Sequence, residues 1–170
     1  MGRLNRFPIR LVVIFMAATI LGCSSPKPSA PVTHPVPQIQ SLTDLTGTRH
    51  TIVSHAVDSI GAPYTWGGTS PSTGFDCSGL VTYTHSRAGI ATPRTAKALF
   101  TMGRPLPLNR IQPGDLVFFN APDKNNSYHV GIYIGKNIFI HAPGRGRKVR
   151  QTTLDNPYFR QYFVGARSFL

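Results

Sequence analysis

One thiol and two imidazoles carry the chemical potential of this chain. Cys77 lies in Gly74-Phe75-Asp76-Cys77-Ser78-Gly79-Leu80-Val81, and His129 and His141 flank two short β-rich runs, His129-Val130-Gly131-Ile132-Tyr133-Ile134 and Ile138-Phe139-Ile140-His141. The sequence holds two cysteines. The other, Cys23, closes an apolar N-terminal stretch in the pattern of a lipidation site, which leaves Cys77 as the free thiol of the mature chain. A lone thiol sent to an oxidising compartment has no partner and is open to oxidants, so its retention points to a sulfur that reacts. The bland alternative, a buried cysteine acting as a small hydrophobe, fits poorly with flanking Gly, Asp, Ser and Gly. Zinc is the rival chemistry, because Cys77, His129 and His141 would make three ligands with an open water position. Short metal-ligand motifs are absent, however, and the sequence has no glutamate to serve as the general base of a metallopeptidase.

The elements around these residues can be read coarsely. Asp76 is an N-cap for a helix running to about Ala88, with Gly89 just past its end. Cys77 then falls in the first turn, where unpaired N–H groups and the helix dipole favour an anion. With a nearby imidazolium, that placement predicts a depressed thiol pKa. An earlier helix is indicated by Ile52, Val53, Ala56, Val57 and Ile60, ending at Gly61 and Pro63. Residues 106–114 read as irregular. Strand-like runs follow at Asp115 to Phe119, Val130 to Ile134, Ile138 to His141, Lys148 to Thr153 and Phe163 to Phe169. Helices first and an antiparallel meander afterwards indicate an α+β fold, with N-terminal helices on a sheet of about five to six strands.

The two histidine runs form a hairpin around Gly135-Lys136-Asn137. A three-residue loop pairs Ile134 with Ile138, sets His141 opposite Gly131 and leaves it diagonal to His129 on one face. A regular two-residue loop sends the rings to opposite faces unless a bulge restores the phase. The chemistry therefore predicts an odd loop or a bulge. His55 and His85 fall on helices as surface or packing residues, and His50 has no comparable context.

The N-terminus sets the compartment. Arg3, Arg6 and Arg10 precede an apolar run from Leu11 to Leu21, too short for a membrane span of ~18 or more residues but suited to a secretory signal. Ile20-Leu21-Gly22-Cys23 resembles a bacterial lipobox, in which the cysteine is acylated and becomes the new N-terminus. The segment after it carries Pro26, Pro28, Pro31, Pro35 and Pro37 and reads as an extended tether. The expected organisation is a signal over residues 1–22, lipidated Cys23 with its tether over 23–47, and one domain over 48–170. Ser24, where an aspartate would retain a lipoprotein at the inner membrane, predicts outer-membrane anchoring facing the periplasm in a host with two membranes. The formal charge of +12 favours anionic partners. Export argues against nucleic acid and leaves the cell wall and anionic membrane.

Five landmarks, in order, are similar to those of the NlpC-type cell-wall endopeptidases, a family with a papain-like fold. They are Tyr64-Thr65-Trp66-Gly67-Gly68, Phe75-Asp76-Cys77-Ser78-Gly79-Leu80-Val81, Pro93-Arg94-Thr95, Pro113-Gly114-Asp115-Leu116-Val117-Phe118-Phe119, and His129-Val130-Gly131-Ile132-Tyr133 with Ile140-His141-Ala142. The resemblance implies a thiol peptidase of peptidoglycan stem peptides that works through an acyl-enzyme, with Cys77 as nucleophile, His129 as base and His141 orienting His129. It implies no metal and no organic cofactor. Tyr64 is expected beside the nucleophile, and Ser78 and Arg94 are expected near substrate or oxyanion. Arg145 and Arg147, on the turn after His141, are expected to meet stem carboxylates. A monomer is the default expectation. Two other classes stay open: a wall-binding lipoprotein that does not cut, against which the intact Cys77, His129 and His141 argue, and an acyltransferase on the same fold, whose acyl-enzyme is resolved by an amine or hydroxyl instead of water.

Overall fold

The computed structural model describes residues 47–120 and 127–170. The expected signal, lipobox, Cys23 and most of the tether lie outside the described residues. Helix α1 (Thr48–Asp58) comes first, followed by a minimal hairpin of β1 (Thr69–Ser70) and β2 (Gly74–Phe75). Helix α2 (Cys77–Arg87) begins directly after it. Then come α3 (Ala96–Met102), β3 (Arg104–Leu106), β4 (Leu116–Asn120), β5 (Tyr128–Gly135), β6 (Ile138–His141), β7 (Arg150–Thr153), α4 (Pro157–Tyr162) and β8 (Phe163–Ser168). Among the described residues the larger sheet has six strands in the order β3-β8-β4-β5-β6-β7, all paired antiparallel. The α+β class and the strand number agree with the sequence.

Strand β4 explains the layering. Successive side chains point to opposite faces, and Leu116, Val117, Phe118 and Phe119 are all buried, so both faces must be covered. On one face, Leu116, Phe118, Val130, Ile132 and Ile140 pack with Ile52, Val53, Ala56, Leu80 and Val81 of α1 and α2. On the other, Val117, Phe119, Tyr133 and Phe139 pack with Phe159 of α4. Each large apolar side chain buried this way contributes roughly 1.5–3 kcal/mol.

Three short elements lie where the sequence assigns no helix or strand. Helix α3 starts at Thr95, whose hydroxyl accepts from Ala98 N at 3.3 Å. Helix α4 starts at Asn156, which caps Tyr158 N at 3.0 Å, with Pro157 as its first residue. Strand β3 contains Pro105 and pairs with β8 alone, at the sheet edge. A proline that cannot donate to a ladder is tolerated there.

The β5–β6 hairpin closes with a two-residue turn, Lys136-Asn137, both at positive φ (49° and 58°), the conformation favoured in tight hairpins. The ladder pairs Ile132 with Ile140 and Tyr133 with Phe139, then slips so that Gly135 faces Ile138. This is the bulge the chemistry required. Continuing the ladder one step sets His141 opposite Gly131, so both histidine rings share one face.

Candidate active site

Asp76 builds the start of α2. Its carboxylate accepts from Gly79 N at 2.6 Å and from Gly67 N at 3.0 Å. Arg94 grips it with two nitrogens, at 3.0 and 2.7 Å, and one of these also reaches Ser78 Oγ at 2.9 Å. Burial opposes the charge on Asp76, but the Arg94 hydrogen bond, the Gly79 N–H, the Arg94 charge and the Gly67 N–H outweigh it and hold the carboxyl below its ordinary range. Ser78 and Arg94, expected at substrate, are thus directed at Asp76 instead. Both border the cleft, but their polar atoms serve to fix the turn that carries Cys77.

Cys77 is the cysteine among the described residues, and its thiol is in no disulfide there. The backbone N–H groups of Val130, Ser78 and Cys77 itself favour the anionic form of the sulfur. Cys77 borders the same cleft as His129, which Val130 follows in β5. The expected depression of the thiol pKa is corrected. Burial pushes it up, the Asp76 charge adds to that, and the three N–H groups offset only part of it. The resting thiol therefore keeps its proton near neutral pH and needs a base to take it.

His129 Nε2 and His141 Nδ1 lie 2.7 Å apart, with the rings edge to face at 79°. That separation fits a hydrogen bond. Two nitrogens bound tetrahedrally to one zinc at ~2.0–2.1 Å each would stand about 3.3 Å apart. His141 Nε2 lies 3.1 Å from Thr152 Oγ1. The rings are walled by Phe119 beside His129 and by Phe139 and Phe159 beside His141. Burial, then the charges of His129, Arg150 and Arg147, lower the His141 pKa to about 2, so this ring works as neutral imidazole. Tyr64 borders the same cleft. Burial and the neighbouring charges of Cys77 and Asp76 push its phenol up, which keeps it a hydroxyl donor.

The cleft has a volume of about 1690 Å³ and takes in Tyr64, Cys77, His129, His141, Arg145 and Arg147. That exceeds the ~300–1,000 Å³ of pockets for drug-sized ligands and suits a stretch of polymer. Sequence reasoning misses the Arg94 clamp on Asp76 and the backbone N–H groups that favour the thiolate; Arg150, part of the basic run after His141, lines the cleft along with Arg145 and Arg147. Pro93-Arg94-Thr95 is visible as a landmark, and its partner Asp76 is the only acid near the thiol in sequence.

The protonation of the buried histidines sets an acid limit. His85, fully buried in α2 with Nδ1 3.0 Å from Val81 O, is lowered by burial to about 4, and His141 is lowered to about 2. On unfolding both return to 6.5. Below that pH the unfolded chain binds more protons, so stability falls with pH. Each histidine contributes a slope of up to ~1.4 kcal/mol per pH unit. Asp76 acts in the same sense lower down, since its stabilisation is present above 3.8 and is lost as pH falls through its depressed folded value. Urea midpoints are expected to drop steadily between about pH 6.5 and 4.5, and a flat profile there would contradict the buried neutral histidines.

A thiol at a helix start, sharing a cleft with a sheet strand that carries an imidazole, defines an α+β fold of the papain-like kind. The sequence model of the NlpC/P60 family matches residues 61–168, and the chain belongs to that family. It is 42% identical over 114 residues to murein DD-endopeptidase MepH of Escherichia coli, covering 65% of this chain and 42% of that protein. It is 35% identical over 164 residues to the probable endopeptidase NlpC of Escherichia coli, covering 94% of this chain and 99% of that protein. A crystal structure of an NlpC/P60 family protein from Bacillus cereus superposes with a TM-score of 0.68 at 33% identity, covering 74% of this chain and 41% of that one. The chain thus spans less than half the length of the first and third of these relatives.

Proposed function

We propose that the chain is a peptidoglycan hydrolase that cuts stem peptides with a Cys77 nucleophile, a His129 base and His141 as the group that orients it. The observation that carries this reading is a single cleft that holds Cys77, at a helix start, together with the His129–His141 pair 2.7 Å apart. The relatives named as endopeptidases support the same reaction class.

With Nε2 committed to His141, Nδ1 is the nitrogen of His129 that serves the thiol. The Cys77 proton moves to Nδ1 as Sγ attacks the scissile carbonyl, and the oxyanion is met by backbone N–H and the Tyr64 hydroxyl. His129 then gives that proton to the leaving amine as the C–N bond breaks. Water, deprotonated by the same ring, releases the acid and restores the thiol. His141 holds the ring and balances its charged form, as a carboxylate or amide does in other triads. Residues 1–22 serve as a signal with lipobox, and acylated Cys23 holds the domain at the outer membrane on its tether, facing the wall.

Arg145, Arg147 and Arg150 line the cleft, where stem carboxylates can be paired. Mass spectrometry of muropeptides digested by the purified protein is expected to show one new stem-peptide terminus, and intact stems would refute the proposal. In the same digestions at low ionic strength, Arg145→Ala with Arg147→Ala is expected to raise KM about two- to tenfold with kcat unchanged. Exposed pairs contribute ~0.2–1 kcal/mol each and weaken with salt. Wild-type KM in the double variant would make these arginines solvated turn residues.

A further inference from the structure

His141 has a polar neighbour on each ring nitrogen. Nδ1 faces His129 Nε2 at 2.7 Å and Nε2 faces Thr152 Oγ1 at 3.1 Å. Register puts the threonine there: His141 pairs with Arg150, so Thr152 is the diagonal neighbour on the same face of edge strand β7. Its side chain is half-buried, and a β-branched residue on a strand has few rotamers.

The hydrogens in this row can be arranged in two ways. A neutral imidazole offers one donor and one acceptor, and a hydroxyl can be either. If Thr152 accepts, His141 carries its hydrogen on Nε2 and accepts at Nδ1. His129 must then carry its hydrogen on Nε2, leaving Nδ1 unprotonated and able to take the thiol proton. If Thr152 donates, both rings reverse, and His129 holds its hydrogen on Nδ1, where it cannot act as base. The first arrangement also survives protonation of His129, because the imidazolium still donates from Nε2 to the same acceptor. The buried row need not be rewired during turnover.

We propose that Thr152 is a positioning residue whose hydroxyl accepts from His141 Nε2 and thereby selects the tautomer of His129 that is competent as a base. This rests on the reading of Cys77 and His129 as nucleophile and base. The charges that act on His141 are those of His129, Arg150 and Arg147. None of them discriminates between its two neutral tautomers through a hydrogen bond to Nε2.

The test compares Thr152→Val, which keeps the shape and loses the hydroxyl, with Thr152→Ser, which keeps the hydroxyl. Thr152→Val is expected to lower kcat about 10- to 100-fold, the range for outer partners that orient metal-bound histidines, with KM unchanged. Imidazole ¹⁵N spectra at neutral pH should show mixed tautomers at both rings in Thr152→Val and Nε2–H alone in wild type and Thr152→Ser, with the serine variant restoring kcat. Thr152→Ala should repeat the valine result, which guards against a packing defect in one variant. Wild-type kcat and pure Nε2–H tautomers in Thr152→Val, or a serine variant as impaired as valine at equal melting temperature, would overturn the proposal. Cys77→Ala run alongside separates the two levels. If it is inactive while Thr152→Val matches wild type, the role of Thr152 alone fails. If Cys77→Ala hydrolyses normally, the nucleophile reading fails and takes the role of Thr152 with it.

Discussion

Cys77→Ala is expected to reduce hydrolysis of peptidoglycan fragments by about 10⁴-fold or more, the scale seen when a covalent nucleophile is removed, while the melting temperature stays close to wild type. The sulfur borders the cleft at the first residue of α2. The loss of one polarisable atom there leaves the Asp76 cap and both core layers intact. Cys77→Ser should be almost as inactive. Its hydroxyl has a far higher pKa, and the row built around His129 is set to deprotonate a thiol. Iodoacetamide should inactivate wild type with one carboxamidomethyl group on Cys77, and a chelator should leave the rate unchanged. Normal turnover in the alanine variant, or loss of wild-type activity with chelator, would defeat the thiol mechanism.

The largest expected effect on stability lies two residues further on. A Cβ at Gly79 would sit 1.9 Å from the carbonyl oxygen of Gly68 and 3.0 Å from Asp76 Oδ1. The carbonyl is backbone and cannot swing away as a side chain would. It also accepts from Asp76 N at 3.1 Å, so moving it breaks the bond that aligns the cap. Gly79→Ala is therefore expected to cost ~3 kcal/mol, at the upper end for overpacking, and to lower activity by displacing Cys77. Gly89→Ala is the contrasting case. Its Cβ meets nothing within 4 Å, but its φ is +77°, so only the left-handed strain of ~1–2 kcal/mol should appear. Equal urea midpoints for the two variants would show that the close approach of α2 to Gly68 does not limit stability.

Much of this architecture is legible in the residues because local preference and tertiary packing agree. Asp76 and Gly89 bracket α2, and the runs of Val, Ile and Phe around Phe118, Ile132 and Phe139 form strands close to their expected bounds. The short elements are not legible in the same way. Seven residues of α3 and six of α4 are too few to be stable alone. They exist because Leu99 and Phe159 are buried against the sheet. The Asn156-Pro157 pair does carry a helix-start signal, masked by the brevity of the helix it opens. Thr152 could not be found from sequence, because its face depends on how β7 registers on β6 after the irregular chain of residues 142–149. The resting state of the thiol is hidden for a related reason. A helix start is visible in sequence, whereas the burial that outweighs it is a property of the assembled layers.

The bulge at Gly135 has a consequence for how relatives are judged. It lies six residues along β5 from His129, roughly 20 Å at ~3.3 Å per residue, yet it decides which way the His141 ring faces. With the same number of residues and a regular two-residue turn, the pairing would slip by one and send that ring to the opposite side of the sheet. A homologue could keep thiol and imidazoles at every matched position and still be silent, through a change at a hairpin tip that no comparison of active-site residues would flag. Competence in this fold therefore has a parity: the count of residues between the two histidines, taken with the way the turn closes, belongs to the motif as much as the side chains do.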